Sequence, residues 1–198
     1  MPITRDPACF AEAASLGHRL IWLHTYAERS RGDEPGNEVP QGTARAIKGV
    51  SSDPARYPDT FGYDAARQEV TVAEGRFGPV SPEIWDYEIS GLKVVQSWLA
   101  YRMAKRKGKA SSDLDKIRPE RWTARMSEEF LELLWVLEAT LNMEPALEAM
   151  LDRVVSGPCF TKAELPMPTT EERKAPAGAR NEPESQLSLP GADDDADE

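Results

Sequence analysis

The side chains that most often perform catalysis or hold metals are few in this 198-residue sequence, and their spacing suits neither task. Its two histidines, His18 and His24, are six residues apart on a predicted helix. Six steps of about 100° place them on different faces of that helix. The two cysteines, Cys9 and Cys159, have no neighbouring cysteine or histidine at the spacing of a zinc site or an activated nucleophile. We therefore expect neither catalytic residues nor a metal site in this chain.

Motifs for cofactors and nucleobases are missing from the sequence as well. No glycine-rich loop follows a predicted strand, so a P-loop and a dinucleotide fingerprint are both excluded. The chain also lacks an Asn-Pro-Pro-aromatic tetrad, which an amino-methyltransferase needs to hold the flipped base. We expect no cofactor in this chain and no catalytic activity of the chain by itself.

The acidic pair Asp86 and Glu88 alternates with the aromatic residues Trp85 and Tyr87. This pattern fits a binding cleft, but the favoured interpretation is a strand whose polar face lies opposite aromatic core positions. Trp85 and Tyr87 are accordingly candidates for the core and for an interface alike.

Positive charge is concentrated in one part of the chain. Between Lys93 and Arg125 ten basic residues stand against three acidic ones, in a sequence whose net charge is -10. Phosphate backbones attract such a concentration of charge through counterion release and electrostatic steering. Ser111 and Ser112 lie within it and can donate hydrogen bonds to phosphate or base edges. A solvated charged surface is the alternative. If this part of the chain binds nucleic acid, the candidate contacts are Lys93, Arg102, Lys105, Arg106, Lys107, Lys109, Ser111, Ser112, Arg118 and Arg121, with Trp85 and Tyr87 beside them.

Negative charge is concentrated in the C-terminal tail. From Glu164 onward there are ten acidic residues, three basic ones and five prolines, a composition typical of disorder. The acidic balance of the whole chain therefore does not exclude nucleic acid as a partner. The sequence has neither a signal peptide nor an apolar run of membrane-spanning length, so we expect a cytoplasmic protein without membrane contact.

The apolar periodicity and the turn residues predict an α+β fold, in which a small antiparallel sheet packs with several helices. We expect a first helix from Asp6-Pro7 to about Arg29, and a helix from about Ser90 to Ala104. A further helix begins at Ser127, and another begins at Glu144-Pro145 and ends at Gly157-Pro158. The predicted strands are 61–63, 69–72 and 77–80, with turns at 64–68 and at Gly75. The predicted organisation is a helix and loop over residues 1–40, a central domain over 41–162 and a disordered acidic tail over 163–198.

The stretch from Val80 to Arg102, VSPEIWDYEISGLKVVQSWLAYR, closely resembles the C-terminal specificity region of type ISP restriction-modification enzymes. A shorter core of this motif is similar to fused adenine-specific DNA methyltransferases. Further matching segments lie on both sides in the expected order, across about residues 16–161. They include Leu23-His24-Thr25-Tyr26, Tyr57-Pro58-Asp59, Ser111 to Asp115, Pro119-Glu120-Arg121-Trp122 and Gly157-Pro158.

The resemblance implies that residues 57–160 are mostly a module that reads DNA sequence. It implies double-stranded DNA as a partner, with a methyltransferase and nuclease subunit as a second candidate partner. In that family the nuclease, translocase and adenine methyltransferase precede this region, whereas this chain begins only a few residues before the resemblance. We expect either the product of a split or truncated gene or a recognition subunit that acts in trans. A protein-interaction subunit or decayed remnant that no longer binds DNA is the alternative.

Overall fold

The computed structural model describes residues 2–27, 38–104 and 120–174. Helix α1 spans Pro7–His24, and its start is as predicted. The Asp6 side chain accepts hydrogen bonds from the backbone N–H groups of Ala8 and Cys9, and proline occupies the first helical position. The helix ends at His24, before the expected end near Arg29. Tyr26 and Ala27 have positive φ angles of 52° and 58°, and a right-handed helix cannot continue through such residues.

The four-stranded sheet has the order β1-β4-β3-β2, and every pairing is antiparallel. Its strands are β1 (Arg45–Lys48), β2 (Phe61–Asp64), β3 (Glu69–Val72) and β4 (Gly75–Gly78). Strands β2 and β3 are the predicted hairpin, with Phe61 opposite Val72 and Asp64 opposite Glu69. Gly75 was expected in a turn and instead begins β4. Strand β1 was not predicted, because its sequence Arg-Ala-Ile-Lys has no alternation of apolar and polar residues. In the structure all four residues are exposed.

Two short elements occupy the region where the sequence predicted a strand followed by one long helix. Helix α2 spans Pro82–Trp85, so the expectation that Trp85 lies in a strand is wrong. A small hairpin follows, formed by β5 (Glu88–Ile89) and β6 (Leu92–Lys93). Ser90 and Gly91 have φ angles of 51° and 86°, the left-handed pair that a tight type I′ hairpin turn needs. Helix α3 is therefore limited to Val94–Ala100, and the predicted start near Ser90 is wrong.

Helix α4 spans Ala124–Ser156 without interruption, so the two helices predicted around Pro145 are one. Its N-cap is Thr123, whose side chain accepts a hydrogen bond from the Met126 N–H. The predicted N-cap, Ser127, lies inside the helix, where its hydroxyl accepts a hydrogen bond from the Trp122 indole N–H at 2.8 Å. Gly157 caps the C-terminus, as predicted.

The N-terminal half of α4 packs against one face of the sheet and against α3. The Phe77 ring from β4 meets the Phe130 ring from α4 edge to face at 5.0 Å. Buried members of this core include Val70, Val72, Phe77, Val95, Leu99, Trp122, Phe130, Leu134 and Leu137. Burial of such side chains contributes about 1.5–3 kcal/mol each to folding, so this layer is the main source of stability.

From Val136 to Arg153, α4 packs against α1. Leu23 of α1 and Val136 of α4 form a second, smaller core. Residues 1–159 form one compact unit, and residues 160–198 belong to a separate one whose described part contains a 3-10 helix at Lys162–Glu164. The α+β fold class is confirmed, and the predicted tail beyond residue 174 lies outside the described residues. No helix within the described ranges combines the length and apolar content required to cross a membrane.

Candidate nucleic-acid interface

Five of the twelve residues expected at a DNA interface are described: Trp85, Tyr87, Lys93, Arg102 and Arg121. The other seven lie outside the described residues. They are Lys105, Arg106, Lys107, Lys109, Ser111, Ser112 and Arg118. The described residues are therefore only part of the expected interface. Its most basic stretch belongs to the segment 105–119, which lies outside them.

Trp85 and Tyr87 are half-buried and pack against the main core. The Trp85 ring stacks on the Tyr63 ring at 5.0 Å with an angle of 13°, and it meets Phe61 edge to face at 6.3 Å. The Tyr63 hydroxyl donates a hydrogen bond to the Val80 carbonyl at 2.8 Å. These contacts give Trp85 a packing role and leave only part of its ring for a ligand.

The hairpin region around this aromatic group is acidic. Burial raises the pKa of Tyr63, and the nearby carboxylates Glu83, Asp86 and Asp64 raise it further. Lys93 Nζ donates a hydrogen bond to Asp86 Oδ1 at 2.9 Å, and this bond is the main cause of the raised pKa of Lys93. Since phosphate is repelled by carboxylates, this side of the molecule is poorly suited to contact a DNA backbone.

Arg102 follows α3 and has several internal contacts. Its guanidinium carbon lies 3.5 Å from the centroid of the Trp98 ring, a cation-π arrangement, and Nη1 donates to the Trp98 carbonyl at 3.2 Å. Nη2 lies 3.9 Å from Glu129 Oε2 on α4. Burial lowers the pKa of Arg102, and the Glu129 carboxylate partly opposes that shift. The geometry therefore places Arg102 as a link between α3 and α4.

The described residues on either side of the basic segment 105–119 belong to the same folded unit. On the N-terminal side, the Ala104 N–H donates to the Pro58 carbonyl at 2.8 Å, and the Tyr57 hydroxyl donates to the Arg102 carbonyl at 2.9 Å. On the C-terminal side, Trp122 is fully buried and meets Trp98 edge to face at 6.4 Å. Arg121, directly before this anchor, is exposed. Ala104 and Trp122, which flank the segment, are therefore both fixed by contacts within this unit.

A pair of basic residues on the sheet was missed by the sequence reasoning. Lys48 on β1 lies directly opposite Arg76 on β4, and Thr71 on β3 lies opposite Arg76 on its other side. The Arg76 guanidinium reaches Glu69 Oε2 at 3.4 Å. The Glu69 carboxylate offsets part of the positive charge that Lys48 and Arg76 place side by side on the sheet. Only the strand register reveals this pair, and β1 has no apolar alternation by which to predict that register.

The described ranges contain no group of three or more histidine, cysteine, aspartate or glutamate side chains suited to hold a metal ion. His24 Nε2 instead lies 3.0 Å from the Thr140 hydroxyl, a contact between α1 and α4. His18 is exposed on α1.

Comparison with protein families gives one match. The sequence model of the type ISP C-terminal specificity domain matches residues 1–133, which is about two thirds of the chain and includes α1, the sheet, the β5–β6 hairpin, α3 and the start of α4. Comparisons with curated proteins and with solved structures gave no significant match.

Proposed function

Because this chain belongs to the family of type ISP C-terminal specificity domains, with a target-recognition role in type ISP restriction-modification, we propose that it binds double-stranded DNA and catalyses no reaction itself. The family match is the observation that carries the proposal. The concentration of ten basic residues against three acidic ones between Lys93 and Arg125 supports DNA as the target.

The folded unit suggests how the contacts are divided along the chain. The β5–β6 hairpin, with Asp86 and Glu88 beside its single lysine, contributes little to phosphate binding. Arg102 is engaged with Trp98 and Glu129, which leaves the residues after it as the main cationic contacts. We assign phosphate binding to Lys105, Arg106, Lys107 and Lys109, with Arg118 and Arg121 at the other end of the same segment. Ser111 and Ser112 are the candidate hydrogen-bond donors between them.

Salt dependence of DNA binding tests this assignment. Binding of a mixed-sequence duplex is measured by fluorescence anisotropy over a series of salt concentrations for the wild type and for K105Q/R106Q/K107Q/K109Q. We expect the quadruple variant to bind more weakly and to lose about one from the slope of log K against log salt for each phosphate contact removed. The physical reason is that each neutralised cation no longer displaces a counterion from the duplex.

A matched control removes the same number of positive charges elsewhere. The variant R67Q/K162Q/R173Q/K174Q changes four exposed basic residues outside the basic segment, and it should keep the wild-type slope. Salt-insensitive binding by the wild type, or the same loss of slope in both variants, would show that the basic segment is not the DNA contact.

A further inference from the structure

Four large apolar side chains are exposed where α1 and the C-terminal half of α4 pack together. Phe10, Ile21, Leu151 and Val155 are each between 58% and 62% exposed. Single exposed apolar residues are common, but a contiguous apolar surface marks a site of interaction. The orientation of α1 relative to α4 decides whether these four side chains share one surface.

Two side-chain contacts between α1 and α4 show how the helices are oriented. Cys9 Sγ lies 3.8 Å from Met150 Sδ, and His24 Nε2 lies 3.0 Å from Thr140 Oγ1, so the helices are antiparallel. Cys9 and Met150 mark the line along which they face each other. Three residues after each, Glu12 and Arg153 form an ion pair at 2.6 Å, which identifies one flank of the helix pair.

The exposed apolar residues lie on the opposite flank. A step of three residues turns a helix by about 300°, or 60° backward, whereas a step of one turns it by about 100° forward. Phe10 and Leu151 follow Cys9 and Met150 by one residue and therefore project away from the Glu12–Arg153 flank. Ile21 comes eleven residues after Phe10 and Val155 four residues after Leu151, so each continues the row of its own helix.

The middle of this flank is lined by small residues. Ala14 and Gly17 lie between Phe10 and Ile21 at helical spacing, and both are partly exposed. A Cβ atom added to Gly17 would meet nothing within 4 Å. The flank therefore has apolar side chains at both ends of α1 and an open floor between them, the shape that a helix laid into a groove requires.

The outer edge of the same flank is acidic. Glu144, Glu148 and Asp152 follow one another at intervals of four residues on α4, beside the row Leu147, Leu151 and Val155. All three acidic side chains are exposed, and none takes part in an ion pair with another described residue. Nearby, Glu83, Glu138 and Glu144 line a groove of about 340 Å³ between α2 and α4. Negative charge therefore borders the apolar surface along the side away from α1.

The geometry points to a protein-docking site on this flank, which accepts a helix of a partner protein with an apolar stripe and a row of lysines or arginines beside it. The apolar stripe would cover Phe10, Ile21, Leu151 and Val155, and the basic row would face Glu144, Glu148 and Asp152. A second copy of this chain fits less well, because α1 carries no comparable row of cations along the exposed flank. The site goes beyond DNA recognition and uses none of the residues assigned to it.

A pair of designed helical peptides tests this site on the full chain. The first has leucines at positions i, i+4, i+7 and i+11 with lysines one residue after each, and the second has glutamates in place of the lysines. We expect saturable one-to-one binding of the lysine peptide by fluorescence anisotropy, and about tenfold weaker binding of the glutamate peptide. No saturable binding of the lysine peptide would overturn the proposal.

Variants of the chain locate the peptide on the flank. L151Q/V155Q should reduce the affinity about tenfold or more because it removes two apolar contacts, whereas I47Q, an exposed isoleucine on β1, should leave it unchanged. E144Q/E148Q/D152N keeps the apolar row and should weaken binding and its salt dependence. Equal affinity of all variants for the peptide would contradict the site, as would a homodimer that the lysine peptide does not dissociate. The salt slope of DNA binding is measured alongside, since it should be the same in every variant whether or not the docking site exists.

Discussion

Arg102, at the end of the stretch from Val80 to Arg102, shows how much a residue's role depends on its surroundings. By sequence, Arg102 begins a run of basic residues and is a natural candidate for phosphate contact. In the structure its guanidinium stacks on Trp98, donates to the carbonyl of the same residue and approaches Glu129. A side chain held in this way has less freedom to follow a ligand, so we expect its main contribution to be to stability.

Replacement of Arg102 separates these two roles. We expect R102A to lower the free energy of unfolding by about 1–2 kcal/mol, because it removes a cation-π contact and a hydrogen bond to a partly buried carbonyl. Urea denaturation followed by tryptophan fluorescence measures this change. R102K keeps the charge but not the planar stacking, and it should recover only part of the loss. Unchanged stability together with a salt slope smaller by about one would instead identify Arg102 as a phosphate contact.

Among the helices and strands, local signals located the outer ends of α1 and α4 better than the extents of the helices. Asp6-Pro7 and Gly157 mark the start of α1 and the end of α4 correctly, because capping depends on side chains next to the boundary. The interruption expected at Pro145 is absent. Met150, which lies beyond the proline, contacts Cys9 of α1, and this long-range packing stabilises a continuous α4 in a way that the local sequence does not indicate.

Pro145 should therefore be a weak point of α4. A proline inside a helix lacks the N–H that would donate to the carbonyl four residues earlier, here that of Leu141, and its ring crowds that carbonyl. We expect P145A to raise the free energy of unfolding by about 1–3 kcal/mol, measured by chemical denaturation. The control A149P places the same defect one turn later and should be destabilising by a similar or larger amount. A decrease in stability on P145A would mean that the proline has a favourable role in this helix.

At the scale of the whole molecule, α4 connects two layers of packing. Its first half covers the sheet, and the stretch from Val136 to Arg153 packs against α1, with Leu23 fully buried beside Val136. The sequence predicts a domain boundary near residue 40, between α1 and the sheet. Because α1 and the sheet both pack against α4, we expect them nevertheless to unfold together.

Truncation of Leu23 tests this coupling. We expect L23A to lower the free energy of unfolding by about 2–4 kcal/mol through loss of buried contact and a residual cavity. Thermal unfolding followed by circular dichroism and by tryptophan fluorescence should remain a single, coincident transition at a lower temperature. I21A, which removes an exposed side chain two residues earlier, should change stability by no more than about 0.5 kcal/mol. Two separate transitions would indicate that α1 and the sheet are independent folding units.

Local sequence patterns were sufficient to predict the α+β class, the β2–β3 hairpin, the outer helix caps and the separation of a basic stretch from an acidic tail. These features depend on neighbours within a few residues or on composition, and both can be read without coordinates. The resemblance carried by residues 80–102 also indicated the family, and the family match confirmed it.

Which charged side chains already have internal partners could not be predicted from those patterns. Lys93 on β6 donates a hydrogen bond to Asp86 at the end of α2, and Arg102 contacts Trp98 and Glu129. Lys48 lies opposite Arg76 in a strand pairing that was not predicted. The apolar flank of α1 and α4 likewise combines rows that are more than 120 residues apart in the chain. Such pairings depend on long-range packing and strand register. Local patterns describe each partner separately and carry no information on the distance between them.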